Sequence, residues 1–447
     1  MNKHLFIDTP IKKMGDVITG KTPKTAIQDN YGTDYMFITP NELHEGYIIN
    51  HSERGLSEKG LSSIKNNTIS GISVLVGCIG WDMGNVALCI DTCATNQQIN
   101  SITNFKDGYN PYYVYYWLCT KKDYLFQIAS ITRTPILNKS TFEEILVPMP
   151  EINVQNDIVS VLSAIDKKIV HNNRLIAEME EMAKTIFDYW FVQFDFPNLE
   201  GKPYRSSGGE MVWNDQLKRE IPKDWEIKNL EHFIKVIRGV TYSKDDVSDV
   251  PKDGYTTLLR ANNISNGTIN YDKLVYVKDN CISDNQMLSE RSIFIAMSSG
   301  SKEHVGKTAI VPCNLNTAFG AFCSKIEIVE NAFAWLVIYF RTEYFKTYIN
   351  NICLGTNINN LTNEHIGSIK IPVPPKSVLD KYSNLINPLI SKQGNSHIES
   401  QELIKLRDWL LPMLMNGQVK FKSINNIKEN YLDTEQVAET QSKYGED

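Results

Sequence analysis

Two stretches of the chain place apolar residues three and four apart: Ile158, Val161, Ile165, Leu175, Met179, Met182 and Ile186, then Tyr382, Leu385, Leu389, Leu403, Leu406, Leu410 and Met413. That period predicts two long amphipathic helices. The first, over about 152–190, would be roughly 60 Å long at 1.5 Å per residue. No small domain covers such a stripe alone, so each helix needs another, and its duplicate is the obvious partner in an antiparallel two-helix coiled coil. Asn172 and Ser396 take equivalent core positions, where a polar residue can fix register at some cost in stability. Pro388 opposes the pattern, because an interior proline removes a helix hydrogen bond.

Ahead of each helix the pattern changes to short pieces such as "GISVLVGCIG" and "RSIFIAM", rich in Ile, Val and Phe and broken by Gly, Asn and Asp turns. These read as mixed, strand-rich domains. "ILVPMP" (Ile145 to Pro150) returns as "IKIPVP" (Ile369 to Pro374), and the gapless overlay also pairs Leu137 with Leu361, Val154 with Val378, Lys168 with Lys392 and Glu178 with Glu402. Upstream, "YMFITPNELHEGYI" (Tyr35 to Ile48) lies on "TTLLRANNISNGTI" (Thr256 to Ile269), pairing Asn41 with Asn262 and Gly46 with Gly267. "TGKT" at Thr19 lies on "RGVT" at Arg238, and "MGNVAL" (Met83 to Leu88) on "VGKTAI" (Val305 to Ile310). Such ordered self-similarity means two homologous halves. The predicted fold is α+β with a pseudo-twofold repeat: a domain at 1–150, a helix and linker at 151–214, a second domain at 215–374, a helix at 375–422 and a polar, acidic tail at 423–447. The Pro, Gly and Ser of "FPNLEGKPYRSSGGEMVW" mark the linker.

A length of 447 residues suits two domains plus connecting elements, and 42% hydrophobic with 22% charged residues is a soluble composition. "MNKHLFIDTP" turns polar before an apolar run forms and no membrane-spanning stretch exists, so a cytoplasmic location is expected. Eight cysteines then read as reduced core residues. Cys89 and Cys93 lack the partners of a zinc site. The net charge of −6 divides as −1 over 1–150, −4 over 151–214, 0 over 215–374, +3 over 375–422 and −4 in the tail. Acid gathered in the first helix region and tail leaves room for a local basic face, so charge neither names nor excludes nucleic acid.

Several chemical motifs fail on inspection. "GSKEHVGKT" (Gly300 to Thr308) has five residues between its glycines where a phosphate loop needs four, and Asn85 stands where the first half would need the lysine. "NPYY" at Asn110 lacks a methyltransferase's second proline and any glycine loop; Pro111 suits a helix start. "EIK" (Glu226 to Lys228) and "DKK" (Asp166 to Lys168) lack a matched upstream nuclease acid, no serine sits in a nucleophile elbow, and the histidines are scattered. The reading is a chain without catalytic residues, metal or cofactor of its own. Two diverged domains on a rigid spacer suit an asymmetric bipartite duplex target.

The duplicated "VPMP" and "IPVP" junctions, the central "IFDYWFVQFDFPNLEGKPYRSSGGEMVWN" (Ile186 to Asn214) and "EIPKDWEIKNL" (Glu220 to Leu230) resemble the specificity subunits of type I restriction-modification systems, over about residues 5–422. The resemblance implies two target-recognition domains, each reading half of a bipartite DNA sequence, and a helix pair that docks two modification subunits. Those subunits would methylate adenine with S-adenosylmethionine, and motor-nuclease subunits would add ATP- and Mg-dependent translocation and cleavage. The first domain departs from the pattern in opening at "IDTPIKKMGDV" with no clear counterpart of "IPKDW".

Near the recurring turns, DNA-contact candidates are Lys21, Thr22, Thr39 and Asn41 in the first domain, and Arg238, Arg260, Asn262, Asn263, Ser299, Lys302 and Lys307 in the second: Arg suits guanine, Asn adenine, and Lys, Ser and Thr phosphate. Candidates for coil and assembly are Ile158, Ile165, Asn172, Met179, Met182, Ile186, Tyr382, Leu389, Ser396, Leu403, Leu406 and Leu410. Two alternatives stay open: a non-catalytic coiled-coil scaffold, and a self-contained methyltransferase or nuclease with unrecognised motifs.

Overall fold

The computed structural model describes residues 6–44, 46–131, 133–265, 267–271, 273–299, 304–354 and 360–419. Lys302, part of the rejected phosphate loop, and the tail therefore lie outside the described residues. The chain forms two compact units, Met1–Lys168 with Leu403–Asp447, and Ile169–Glu402. Each unit thus takes one strand-rich domain and a part of both long helices.

The helices run Ile152–Phe187 and Lys376–Met415, the first ending in a π-helical turn over Asp188–Val192. The second continues through Pro388. The residue whose carbonyl loses its partner there, Asn384, is exposed, so water can take the bond. Within the first unit, Ile158 and Leu162 share a core with Leu411, Leu414 and Met415. Within the second, Asn172 Nδ2 donates to Glu399 Oε2 at 2.8 Å and reaches Ser396 O at 3.5 Å, while Gln393 Nε2 donates to Ile176 O at 3.3 Å. In the second unit partners move down one helix as they move up the other, so the segments there run antiparallel. Asn172 and Ser396, equivalent by the repeat, face each other.

The apolar stripe is only partly buried. Ile158, Ile165 and Tyr382 are core residues, whereas Met179, Ile186, Leu389, Leu403 and Leu410 are half-buried. Met182 and Leu406 correct the expected seam: these repeat-mates are 54% and 43% exposed and face outward. A 3.6-residue turn drifts against spacings of three and four, which carries such positions off the buried stripe.

Each domain is closed by its junction strand. Leu146–Met149 pairs antiparallel with Ile7–Pro10, and Lys370–Val373 with Glu226–Asn229. Ile7–Pro10 is therefore the first domain's counterpart of "EIKN". Pro148 and Pro372 are tolerated because these ladders have two strands each, leaving an edge where no amide is required.

The sheets repeat as well. The order Asp16–Thr19, Ile99–Thr103, Ser73–Gly77, Val86–Cys89 in the first domain matches Ile234–Arg238, Cys323–Ile328, Ser292–Ala296, Thr308–Ile310 in the second. Ser73–Gly77 and Ser292–Ala296 are buried along their length, hence their unbroken apolar runs. A second sheet in each unit carries one parallel pair, Met36–Ile38 with Cys93–Thr95 and Thr257–Leu259 with Thr317–Phe319. The linker is more ordered than its composition suggests: Phe194 and Phe196 are buried against Trp225, and Asp195 accepts hydrogen bonds from Ser206 N and Oγ at 2.7 and 2.6 Å.

Candidate nucleic-acid interface

In the first unit the parallel strand pair brings three loops together. Gly20 N donates to Ile99 O at 3.0 Å, Lys21 N to Thr95 O at 2.8 Å, and Asn96 N to Ile38 O at 3.0 Å. A fourth joins through Cys78 N, which donates to Gln98 O at 2.7 Å. The second unit repeats these bonds: Gly239 N to Cys323 O at 3.1 Å, Val240 N to Phe319 O at 2.7 Å, Gly320 N to Leu259 O at 2.9 Å, and Met297 N to Phe322 O at 2.8 Å. The glycine in "TGKT" and "RGVT" is required by this crossing. A Cβ on Gly20 would meet Thr95 Oγ1 at 2.1 Å, and one on Gly239 would meet Gly320 O at 2.2 Å.

Four sequence candidates of the first domain fall on this platform. Lys21 and Asn41 are exposed. Thr22 Oγ1 donates to Gln97 Oε1 at 2.9 Å. Thr39 instead builds its loop: its amide and hydroxyl donate to the buried carboxylate of Glu42 at 2.8 and 2.7 Å, and Glu53 N donates to the same group at 3.1 Å. Burial pushes the Glu42 carboxyl pKa up, but these bonds outweigh it and hold it below the ordinary value.

In the second domain Arg238 and Asn262 are exposed and Ser299 is half-buried. Arg260 is tethered by Nη2 to Lys273 O at 3.3 Å. Asn263 is a correction: it is fully buried, its Oδ1 accepting Arg260 N and its Nδ2 donating to Asn270 O, both at 2.9 Å, so it shapes the turn and cannot reach a base. Lys307 lies at the same sheet end, where Ala296 N donates to its carbonyl at 3.0 Å; its Nζ is 3.0 Å from His304 Nδ1.

Sequence reasoning missed Asn96, Gln97, Trp81 and Phe322. Trp81, 70% exposed, follows the strand that delivers Cys78, beside a network in which Lys122 Nζ reaches Asp82 Oδ1 at 2.9 Å and Asn85 Oδ1 at 2.7 Å. Phe322 is also 70% exposed. Carrying the 224-residue offset through the second parallel strand would have paired Gln98 with Phe322. Cys89 and Cys93 lie with sulfurs 3.4 Å apart, and among the described residues no group of three or more His, Cys, Asp or Glu could hold a metal ion.

Duplicated loop platforms on strand-rich domains, with helical segments running antiparallel, define a two-domain recognition protein. The type I restriction modification DNA specificity domain matches twice, at residues 8–181 and 222–399, and the chain belongs to that family. It is 27% identical over 423 residues to the type I restriction enzyme MjaIX specificity subunit of Methanocaldococcus jannaschii, covering 93% of each chain. It is 33% identical over 208 residues to the EcoKI specificity subunit of Escherichia coli, covering 45% of each. The fold is shared with the S subunit of a type I system from M. genitalium, with TM-score 0.58, 16% identity and coverage of 93% and 97%.

Proposed function

We propose that this chain is the DNA-reading subunit of a type I restriction-modification complex, that it recognises an asymmetric bipartite target, and that it directs adenine-N6 methylation and restriction by partner subunits in the cytoplasm. The observation that carries this reading is the pair of loop platforms, fixed by the same backbone bonds but bearing different exposed side chains. A shared scaffold holds each domain at duplex DNA, while divergent tips read different bases.

On this reading the chain supplies no catalytic group. S-adenosylmethionine would belong to two modification subunits, ATP and magnesium to the motor-nuclease subunits. Docking twice requires surface present twice, and the matched, outward-facing Met182 and Leu406 support that arrangement. Among the described residues no helix is long and apolar enough to cross a membrane.

Long-read detection of N6-methyladenine in cells with and without this chain, its modification subunit present in both, tests the proposal. A bipartite methylated motif that disappears with the chain is expected. Unchanged methylation with the complex assembled would leave a scaffold, and methylation by the purified chain alone would make it an enzyme.

A further inference from the structure

We infer that the turns Asn96–Gln98 and Gly320–Phe322 are the principal base-reading turns of the two domains, with Gln97 reading adenine in one half-site and Phe322 packing on a thymine methyl in the other. This rests on the DNA-recognition reading above and deepens it.

The two turns are the same device by geometry. Each follows the strand of the parallel pair, each is crossed by the glycine loop, and each ends in a residue whose carbonyl is gripped by the neighbouring strand's exit. Cys78 N holds Gln98 O at 2.7 Å; Met297 N and Ser298 N hold Phe322 O at 2.8 and 3.1 Å. Backbones this constrained present their side chains without a backbone ordering cost at binding.

The side chains differ in chemistry. Gln98 is tied back, its Oε1 accepting Asn96 Nδ2 at 2.9 Å, which leaves the exposed Gln97 as the reaching group. The Thr22 hydroxyl holds Gln97 Oε1 at 2.9 Å. A carbonyl oxygen has two lone pairs, so it can keep Thr22 and still accept from adenine N6, while Nε2 donates to N7. Phe322 offers no hydrogen bond, and a ring 70% exposed on a fixed turn suits the one apolar group of the major groove, the thymine methyl. A single exposed phenylalanine is ordinary on a surface. Its place at the position matched to a polar reading turn makes it a candidate reader.

The test uses the full chain assembled with its modification subunit, comparing Gln97→Ala and Phe322→Ala with wild type by methylated-motif sequencing and by competition with duplexes altered in one half-site or in neither. Each variant should relax discrimination roughly 10-fold at one position of one half-site, a different half-site for each, while binding to random DNA is retained. Phe322→Leu should keep most of the preference that Phe322→Ala loses. Unchanged motifs in both alanine variants, or equal losses on cognate and random DNA, would overturn the inference while the wild-type motif stands. Absence of any motif dependent on the wild-type chain would instead overturn the DNA-recognition reading itself.

Discussion

Asp166 and Arg407 in the first unit occupy, by the repeat, the places of Ile390 and Ala183 in the second. In the first, a carboxylate only 2% exposed accepts Arg407 Nη1 at 2.9 Å and the Tyr116 hydroxyl at 2.6 Å. In the second, the same positions are buried among hydrocarbon. Thr39 and Glu42 likewise correspond to Arg260 and Asn263: the first unit holds its loop amide with a carboxylate, the second with a neutral amide. One backbone has been stabilised by charge in one copy and by neutral groups in the other. The lesson is that the duplicated element is the geometry, and the chemistry holding it is free to change.

The comparison breaks most sharply at Arg407. Arg407→Ala leaves Asp166 buried without its cation and should cost about 3–5 kcal/mol in the first unit, read by denaturant unfolding together with hydrogen exchange of the Tyr113–Leu118 amides. Copying the second unit's solution, Asp166→Ile with Arg407→Ala and Tyr116→Phe, should recover most of that loss; no recovery would show that the ion pair does more than satisfy itself.

Next come the glycine crossings, which are the same in both copies. Gly20→Ala and Gly239→Ala should each destabilise their own domain by about 1–3 kcal/mol, through a Cβ forced into backbone or a threonine. Thermal melts of the two variants should shift alike, and a tolerated alanine in either would remove the claim of a shared, tight crossing.

Glu42 gives a smaller, pH-dependent effect. Its folded pKa lies below the unfolded value, so its contribution is present above the ordinary carboxylate range and lost as pH falls through the depressed value. Glu42→Gln should cost about 1–2 kcal/mol at neutral pH and flatten the acid limb of first-unit stability. The second unit, with Asn263 in that place, should show no such dependence from its loop. The smallest expected effect is Arg260→Ala, about 1 kcal/mol in cognate binding, since the guanidinium is already tethered to Lys273 O. An equal loss on random DNA would make it a phosphate contact.

Much of this architecture was legible because it is written in periodicity and repetition. The helices follow from apolar spacing, and the halves from the proline junctions. The opening strand Ile7–Pro10 was not legible, because its pairing with Leu146–Met149 is backbone bonding that "IDTP" does not share in sequence with "EIKN". Gln97 and Phe322 escaped for a related reason: the turn is preserved by amides and carbonyls, and its side chains are where the copies differ. Met182 and Leu406 were misplaced because spacing alone does not say where a stripe stops being covered.

The pairing of each domain's first strand with its last, Ile7 opposite Met149 and Glu226 opposite Val373, brings the two ends of a domain side by side. A domain whose ends meet is a cassette. Exchanging one at these seams would leave both long helices intact in sequence, so a domain of different base preference could be set between them as long as it kept the contacts, such as Tyr116 with Asp166, that seat it on the helices.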